Sequence, residues 1–302
     1  MAAGHTLNRT APGAAVTRHA REVLRAAPVL PAYRSALTAA LTLPGNILSP
    51  APDARWARLV WTCCVAAGGR WMDAVPVAVA VDLFMVALDL LDDVEDGDES
   101  PLCDALGAAR TLNVSTGLLL LAQRSLLAVA GGATAADTLL DAGLRACSGQ
   151  HVDLAPHPDP SPRLHDVVSV AAEKSGPLVA VACRLGAWRG GADRCAQDVY
   201  ARFGAYLGVA AQLDNDLAAI RPGAGGKTDI ALGRPTLPLT YAARLGPVDD
   251  AGERVTPWAS GAAHVTWAVA ETYRRRALDL IPQLTADPVG HAALTGLLYT
   301  SP

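Results

Sequence analysis

The sequence predicts an all-α protein, a single-domain bundle of about ten or more helices. Alanine and leucine dominate the 302 residues, aromatic side chains make up only 5%, and strand-like alternation of β-branched residues is nearly absent. Glycine and proline clusters cut the chain at regular intervals into segments of helical length.

Taken in order, Pro28 and Pro31 separate a helix over 16–27 from one over 32–42, and the Pro44–Pro52 stretch precedes a third over 53–67. Gly68-Gly69 leads into 73–96. The one strand-like run, Val75-Pro-Val-Ala-Val-Ala-Val81, is read as part of this helix because it continues unbroken into Asp82–Leu91, and Pro76 would suit a first turn. Helices over 102–130 and 134–151 flank Gly131-Gly132, and Pro156–Pro162 divides the latter from 164–188. Gly190-Gly191 precedes 192–220, Pro222–Gly226 precedes 235–245, and Pro247 precedes helices over 257–284 and 288–299. No internal repeat or long linker interrupts this pattern. One domain over 1–302 is expected, with 1–30 as a poorly ordered N-terminal extension.

Composition excludes several classes. A hydrophobic content of 51% argues against disorder, and a formal charge of −4 with pI near 6.0 gives no nucleic-acid footprint. No run of 18 uncharged apolar residues occurs, so no membrane span is expected. The N-terminus lacks the basic and apolar regions of a signal peptide. The six cysteines form no CxxC pair and read as buried free thiols of a cytoplasmic protein. Of 25 basic residues only Lys174 and Lys227 are lysines. A coding bias explains the arginines, and a position that keeps lysine under it is a candidate for needing a compact ammonium.

The densest charge lies in Asp89-Leu-Leu-Asp92-Asp93-Val-Glu-Asp96-Gly-Asp-Glu99, at the C-terminal end of an apolar helix. Asp92 and Asp96 share a face one turn apart, with Asp93 beside them. Like charges at this spacing repel, and a helix C-terminus is the worse end for anions. A solvated acidic cap would account for the charge but not for its place directly after a buried-looking helix. Mg²⁺ accounts for both, since it binds through one or two carboxylates plus substrate phosphates. A second polar end appears at Gln212-Leu-Asp-Asn215-Asp216, on a helix whose same face carries Ala205 and Val209. Lys227 follows a glycine-rich loop, and Lys174 lies within another apolar helix.

These segments resemble the trans-isoprenyl diphosphate synthases and related class I terpene enzymes. Asp92-Asp93-Val-Glu-Asp96 matches their DDxxD motif, and Gly149-Gln150-His-Val-Asp153-Leu154 is similar to their GQxxDL segment. Glu173-Lys174-Ser175-Gly with Cys183-Arg-Leu-Gly-Ala187 resembles their K-T…LGA helix. Gln212-Leu-Asp-Asn215-Asp216 falls at their second aspartate-rich motif, and Lys227-Thr-Asp-Ile-Ala-Leu-Gly-Arg-Pro-Thr-Leu-Pro-Leu239 at the stretch that closes the site. The resemblance covers roughly 55–245. It implies the isoprenoid synthase fold, a bundle around a central cavity, with three Mg²⁺ ions and a prenyl diphosphate between two acidic helices. It implies metal ligation by Asp92, Asp93, Asp96, Asn215 and Asp216, diphosphate contacts from Lys174, Lys227, Gln150 and Gln212, and a homodimer.

Departures accompany the matches. The second motif keeps one of its usual three aspartates, Asp216. The basic GKRxRP segment that binds isopentenyl diphosphate in elongating members has no counterpart beyond Pro52-Asp-Ala-Arg55-Trp-Ala-Arg58, and the arginine pair after the first motif is missing. On helical spacing Val81, Met85 and Leu88 share the Asp92 face and are expected to line the cavity, with Phe84 as a floor; Val209 should line it from the second helix. Neither Ala87 nor Leu88 is aromatic, which favours a C15 or C20 substrate. Asp89 either joins the metal site or pairs with an arginine. Trp56, Trp61, Trp71, Tyr200, Phe203 and Tyr206 read as packing residues. The weakened second site places terpene synthase-like cyclisation of one allylic diphosphate first. Prenyl transfer to isopentenyl diphosphate or another acceptor is the alternative, favoured by the low aromatic content. A non-catalytic partner subunit is a third reading, opposed by the intact first motif and both lysines.

Overall fold

The computed structural model describes residues 10–97, 100–155, 162–222, 235–245 and 256–299. Among them the chain is helical with no strand: α1 (Thr10–Ala26), α2 (Pro31–Leu41), α3 (Arg55–Ala66), α4 (Trp71–Asp96), α5 (Pro101–Leu106), α6 (Ala108–Leu127), α7 (Gly132–Leu154), α8 (Leu164–Arg189), α9 (Arg194–Ala219), α10 (Leu237–Leu245), α11 (Ala262–Leu278), α12 (Ile281–Leu284) and α13 (Pro288–Leu297). The all-α expectation holds, and the boundary differences have local causes. Gly107, at φ +78°, splits the expected 102–130 helix into α5 and α6. Pro76 lies in the second turn of α4 rather than the first, because the helix begins at Trp71. Part of the expected N-terminal extension forms α1, whose Val16, Ala20 and Leu24 are buried in the core.

The central helix is α4. Val77 through Ala87 are all buried, as befits a helix apolar on every face. It packs against α1, α3, α6 and α8. By length and composition α4 passes as a membrane span, but 72% of its most apolar stretch is buried inside the bundle. Its C-terminal end is set by Gly97 at φ +67°, whose N–H bonds the Asp93 carbonyl, so the acidic cluster occupies the last turns.

The second organising helix, α8, packs on α9, α7 and α3. Glycines bring these backbones into contact. A Cβ on Gly204 would lie 2.5 Å from the Val179 carbonyl oxygen, one on Gly208 2.8 Å from that of Ser175, and one on Gly149 2.5 Å from the Lys174 nitrogen. The six cysteines are free, but only Cys63, Cys64 and Cys183 are fully buried; Cys147 and Cys195 are exposed, against expectation.

Candidate active site

The C-terminal ends of α4, α7 and α9 and the N-terminal half of α8 gather at one end of the bundle. Between them lies a cavity of about 400 Å³, lined by Asp92 from α4, Gln150 from α7, Lys174 from α8, and Gln212 and Asn215 from α9. A smaller recess of about 60 Å³, reached by Asp153 and Asp216, shares Lys174 and Gln212 with it.

Lys174 is the hub. Its Nζ stands 3.1 Å from Asp92 Oδ1 and 3.2 Å from Asp153 Oδ2, linking three helices. Pro177, inside α8, lacks an N–H and cannot bond the Glu173 carbonyl one turn earlier, so the helix is loosened where Lys174 projects. Burial works against the Lys174 ammonium, but Asp92 and Asp153 outweigh it and hold its pKa above the usual range. Burial also raises the Asp92 carboxyl, opposed by Lys174 and assisted by Asp96.

On the α9 side a relay fixes Asp216. Ser175 Oγ donates to Gln212 Oε1 at 2.7 Å, and Gln212 Nε2 donates to Asp216 Oδ1 at 3.1 Å. Asp216 is 7% exposed, so its carboxylate is oriented before any ligand arrives. Neighbouring Asp214 points instead to Arg274 of α11, with which it forms an ion pair.

The amide of Gln150 is the clearest mark of a missing ligand. Both its Nε2 and Oε1 are buried in the cavity wall without a hydrogen-bond partner, and such groups carry a penalty unless something completes them. The donor set also suits Mg²⁺. Asp92 and Glu95 of α4 line the same cavity as Asn215 of α9, with Asp216 in the adjoining recess, while no cluster of three or more His, Cys, Asp or Glu is preformed among the described residues. An ion that takes most of its ligands from phosphate and water needs no such cage.

The structure therefore brings Asp92, Lys174, Gln150, Gln212, Asn215 and Asp216 together, with Asp93 and Asp96 on the same last turns of α4. Lys227 lies outside the described residues. Of the expected apolar wall, Leu88 lines the cavity, whereas Val81 and Met85 are buried in the main core. The face turns away below Leu88 because α4 is covered there on all sides. Val209 is likewise buried, in a small cluster with Val167, Leu213, Leu237 and Ala270. Phe84 packs against Gly143 of α7 and forms no floor of this cavity. Asp89 pairs with an arginine: Arg55 Nη2 lies 3.4 Å from its Oδ2. Partial desolvation at the cavity mouth, where the side chain stays half exposed, raises the Asp89 carboxyl to about 6 despite the pull of Arg55, with Asp92 and Asp93 adding to the rise.

Two residues escaped the sequence reading. Trp56, expected in packing, lines the cavity beneath the Arg55 guanidinium, 5.4 Å from its ring. Cys147 lines it one turn before Gln150. The i, i+3 spacing of Cys147 from Gln150 could have signalled Cys147; nothing local marked Trp56.

A helical bundle with acidic helix ends facing each other across such a cavity is the isoprenoid synthase fold. The polyprenyl synthetase of Streptomyces coelicolor A3(2) superimposes with a TM-score of 0.78 over 95% of this chain and 96% of that one, at 21% identity. The polyprenyl synthetase family model matches residues 55–255, and the chain belongs to that family. It is 32% identical over 199 residues to the geranylgeranyl diphosphate synthase of Mycobacterium tuberculosis (62% of this chain, 57% of that protein). It is 31% identical over 218 residues to the (2E,6E)-farnesyl diphosphate synthase of Mycobacterium bovis (66% of this chain, 58% of that protein). The match thus spans less than two thirds of either relative's length.

Proposed function

We propose that the protein is a Mg²⁺-dependent prenyltransferase that ionises an allylic diphosphate of C15 or C20 and joins the resulting cation to isopentenyl diphosphate. The observation that carries this reading is the Lys174 hub, an ammonium shared by two buried-edge carboxylates at the meeting point of both hollows. The sequence reading placed cyclisation first; the relatives, named as prenyl diphosphate synthases, support transfer instead. The wall agrees, since Trp56 is the one large aromatic face among the described lining residues, and cyclases commonly steady their cations on several.

In this mechanism Asp92, Asp93, Asp96, Asn215 and Asp216 would hold three Mg²⁺ ions, which would supply Lewis-acid neutralisation of the departing diphosphate oxygens. Lys174, once Asp92 is engaged elsewhere, turns its ammonium to the same oxygens, joined by Lys227. Gln150 completes its amide on the diphosphate. Leu88, Leu178 and Val179 keep water from the allylic tail. Ala87 takes no part in chain length, because it is buried in the main core and does not line the cavity. The exposed Leu112, Leu120 and Leu127 of α6, with Leu140 and Leu144 of α7, support a homodimer through that face.

The test is incubation of the pure protein with Mg²⁺ and C10, C15 or C20 diphosphates, with and without isopentenyl diphosphate. A longer diphosphate formed only when both are present is expected. Hydrocarbon from one diphosphate alone would restore the cyclase, and no product from any combination would favour the non-catalytic subunit.

A further inference from the structure

Among the described residues two cations line the cavity, Lys174 and Arg55, and of these the proposed mechanism uses Lys174. The other, Arg55, stands at the start of α3 with 42% of its side chain exposed, stacked on Trp56 and 3.4 Å from Asp89. Asp82 lies two turns before Asp89 on the same face of α4 and also acts on Arg55. Lys174 is held differently: its partner Asp92 belongs to the DDxxD stretch, so an ion bound there releases the ammonium. Asp89 lies one turn deeper, about 4.5 Å along the helix axis from Asp92, and stands outside the DDxxD stretch.

We propose that Asp89 is a specificity-determining residue that withholds Arg55 from a second diphosphate and so weakens binding of an anionic acceptor. The inference rests on the prenyl-transfer reading and names what limits its second substrate. A diphosphate entering beside Trp56 meets an ion pair where a free guanidinium would offer two donors in a rigid fork.

The experiment measures binding of isopentenyl diphosphate by calorimetry in EDTA, so that ions at Asp92 do not contribute, to the wild type, Asp89→Asn, Asp89→Glu, Arg55→Gln and the Arg55→Gln/Asp89→Asn double variant. Asp89→Asn should bind about tenfold more tightly or better, and Asp89→Glu, which restores the pair, should return to the wild-type value. Arg55→Gln should matter little alone but abolish the gain in the Asp89→Asn background. In steady-state assays with Mg²⁺, Asp89→Asn should lower KM for isopentenyl diphosphate and leave KM for the allylic diphosphate within about twofold. Tight binding unchanged in a folded Asp89→Asn protein overturns the proposal, as does an Arg55→Gln loss of equal size in both backgrounds. If the wild type makes no longer diphosphate from any primer, prenyl transfer itself fails, while the calorimetry still decides the role of Asp89.

Discussion

Gly149 holds α7 against the backbone of Lys174 so closely that a Cβ on it would stand 2.5 Å from the Lys174 nitrogen and 2.6 Å from the Glu173 carbonyl carbon. Both contacts are to backbone, which cannot rotate aside. The glycine thereby sets the height at which Lys174 meets Asp92 and Asp153.

Gly149→Ala should therefore separate α7 from α8 and move the ammonium. Overpacking of this kind costs about 1–3 kcal/mol, and a displacement of ~1 Å at a reacting group can cost about 10²-fold in rate. Thermal unfolding and kcat of this variant are the measurements. An unchanged melting temperature together with full turnover would mean that the helices yield without consequence.

Lys174→Arg keeps the charge but replaces a compact donor held at 3.1 and 3.2 Å from two carboxylates by a planar fork. A loss of about 10²-fold in kcat is expected, with KM much less affected and helical content unchanged by circular dichroism. Lys227→Arg should behave likewise from the lysine bias alone. Wild-type turnover in both variants would return the lysines to chance survivors of the coding bias.

Asp92→Asn and Asp96→Asn should each lower turnover by orders of magnitude. Metal-free Asp96→Asn should unfold no earlier than the wild type, since it removes like-charge repulsion at a helix C-terminus, whereas Asp92→Asn sets the same relief against the loss of its ion pair with Lys174. A second readout needs no turnover: Mg²⁺ with inorganic pyrophosphate should raise the wild-type melting temperature by ligand linkage, and the variants should lose that rise. For Asp216→Ala the same loss is expected, with Asn215→Ala milder. Retention of the pyrophosphate-dependent rise in Asp92→Asn would remove the ion site from α4.

Much of this site is legible in the sequence because helices turn spacing into geometry. The i, i+4 pairs Asp92/Asp96 and Gln212/Asp216 had to share faces wherever their helices ended, and Asp92, Gln212 and Asp216 line the two hollows. What spacing cannot supply is rotation about the helix axis. Met85 and Val209 share the periodicity of the site residues, yet α4 and α9 are covered at those levels by other helices, and both side chains are buried. Trp56 and Asp153 owe their places to contacts far apart in sequence, across α3–α4 and α7–α8, which no local pattern encodes. Pro177 and the packing glycines show the same limit. Each is readable as a residue, but only the neighbouring backbone reveals what it permits.

The last prediction concerns Asp82, a carboxyl 2% exposed in the heart of α4. Helix α3 starts at Ala54 in a left-handed conformation with no side-chain cap of its own. The backbone of Ala57, three residues in, favours the charged form of the neighbouring Asp82 carboxyl. Burial outweighs it and raises this carboxyl to about 7; Asp89 pushes the same way and Arg55 opposes. Since the folded pKa lies above the unfolded value, the native state binds the proton more tightly. The associated stability is full below pH ~4 and is lost as pH rises through about 7. A shift of this kind corresponds to on the order of 2–4 kcal/mol between those limits. Asp82→Asn cannot ionise, so its urea stability should match the wild type near pH 4.5 and exceed it at pH 8. Urea titrations at half-unit intervals between those values would show the two curves diverging. Parallel curves, or a variant less stable at pH 8, would mean that Asp82 is ionised in the folded protein and that its charge, balanced by Arg55, is what holds α3 to α4.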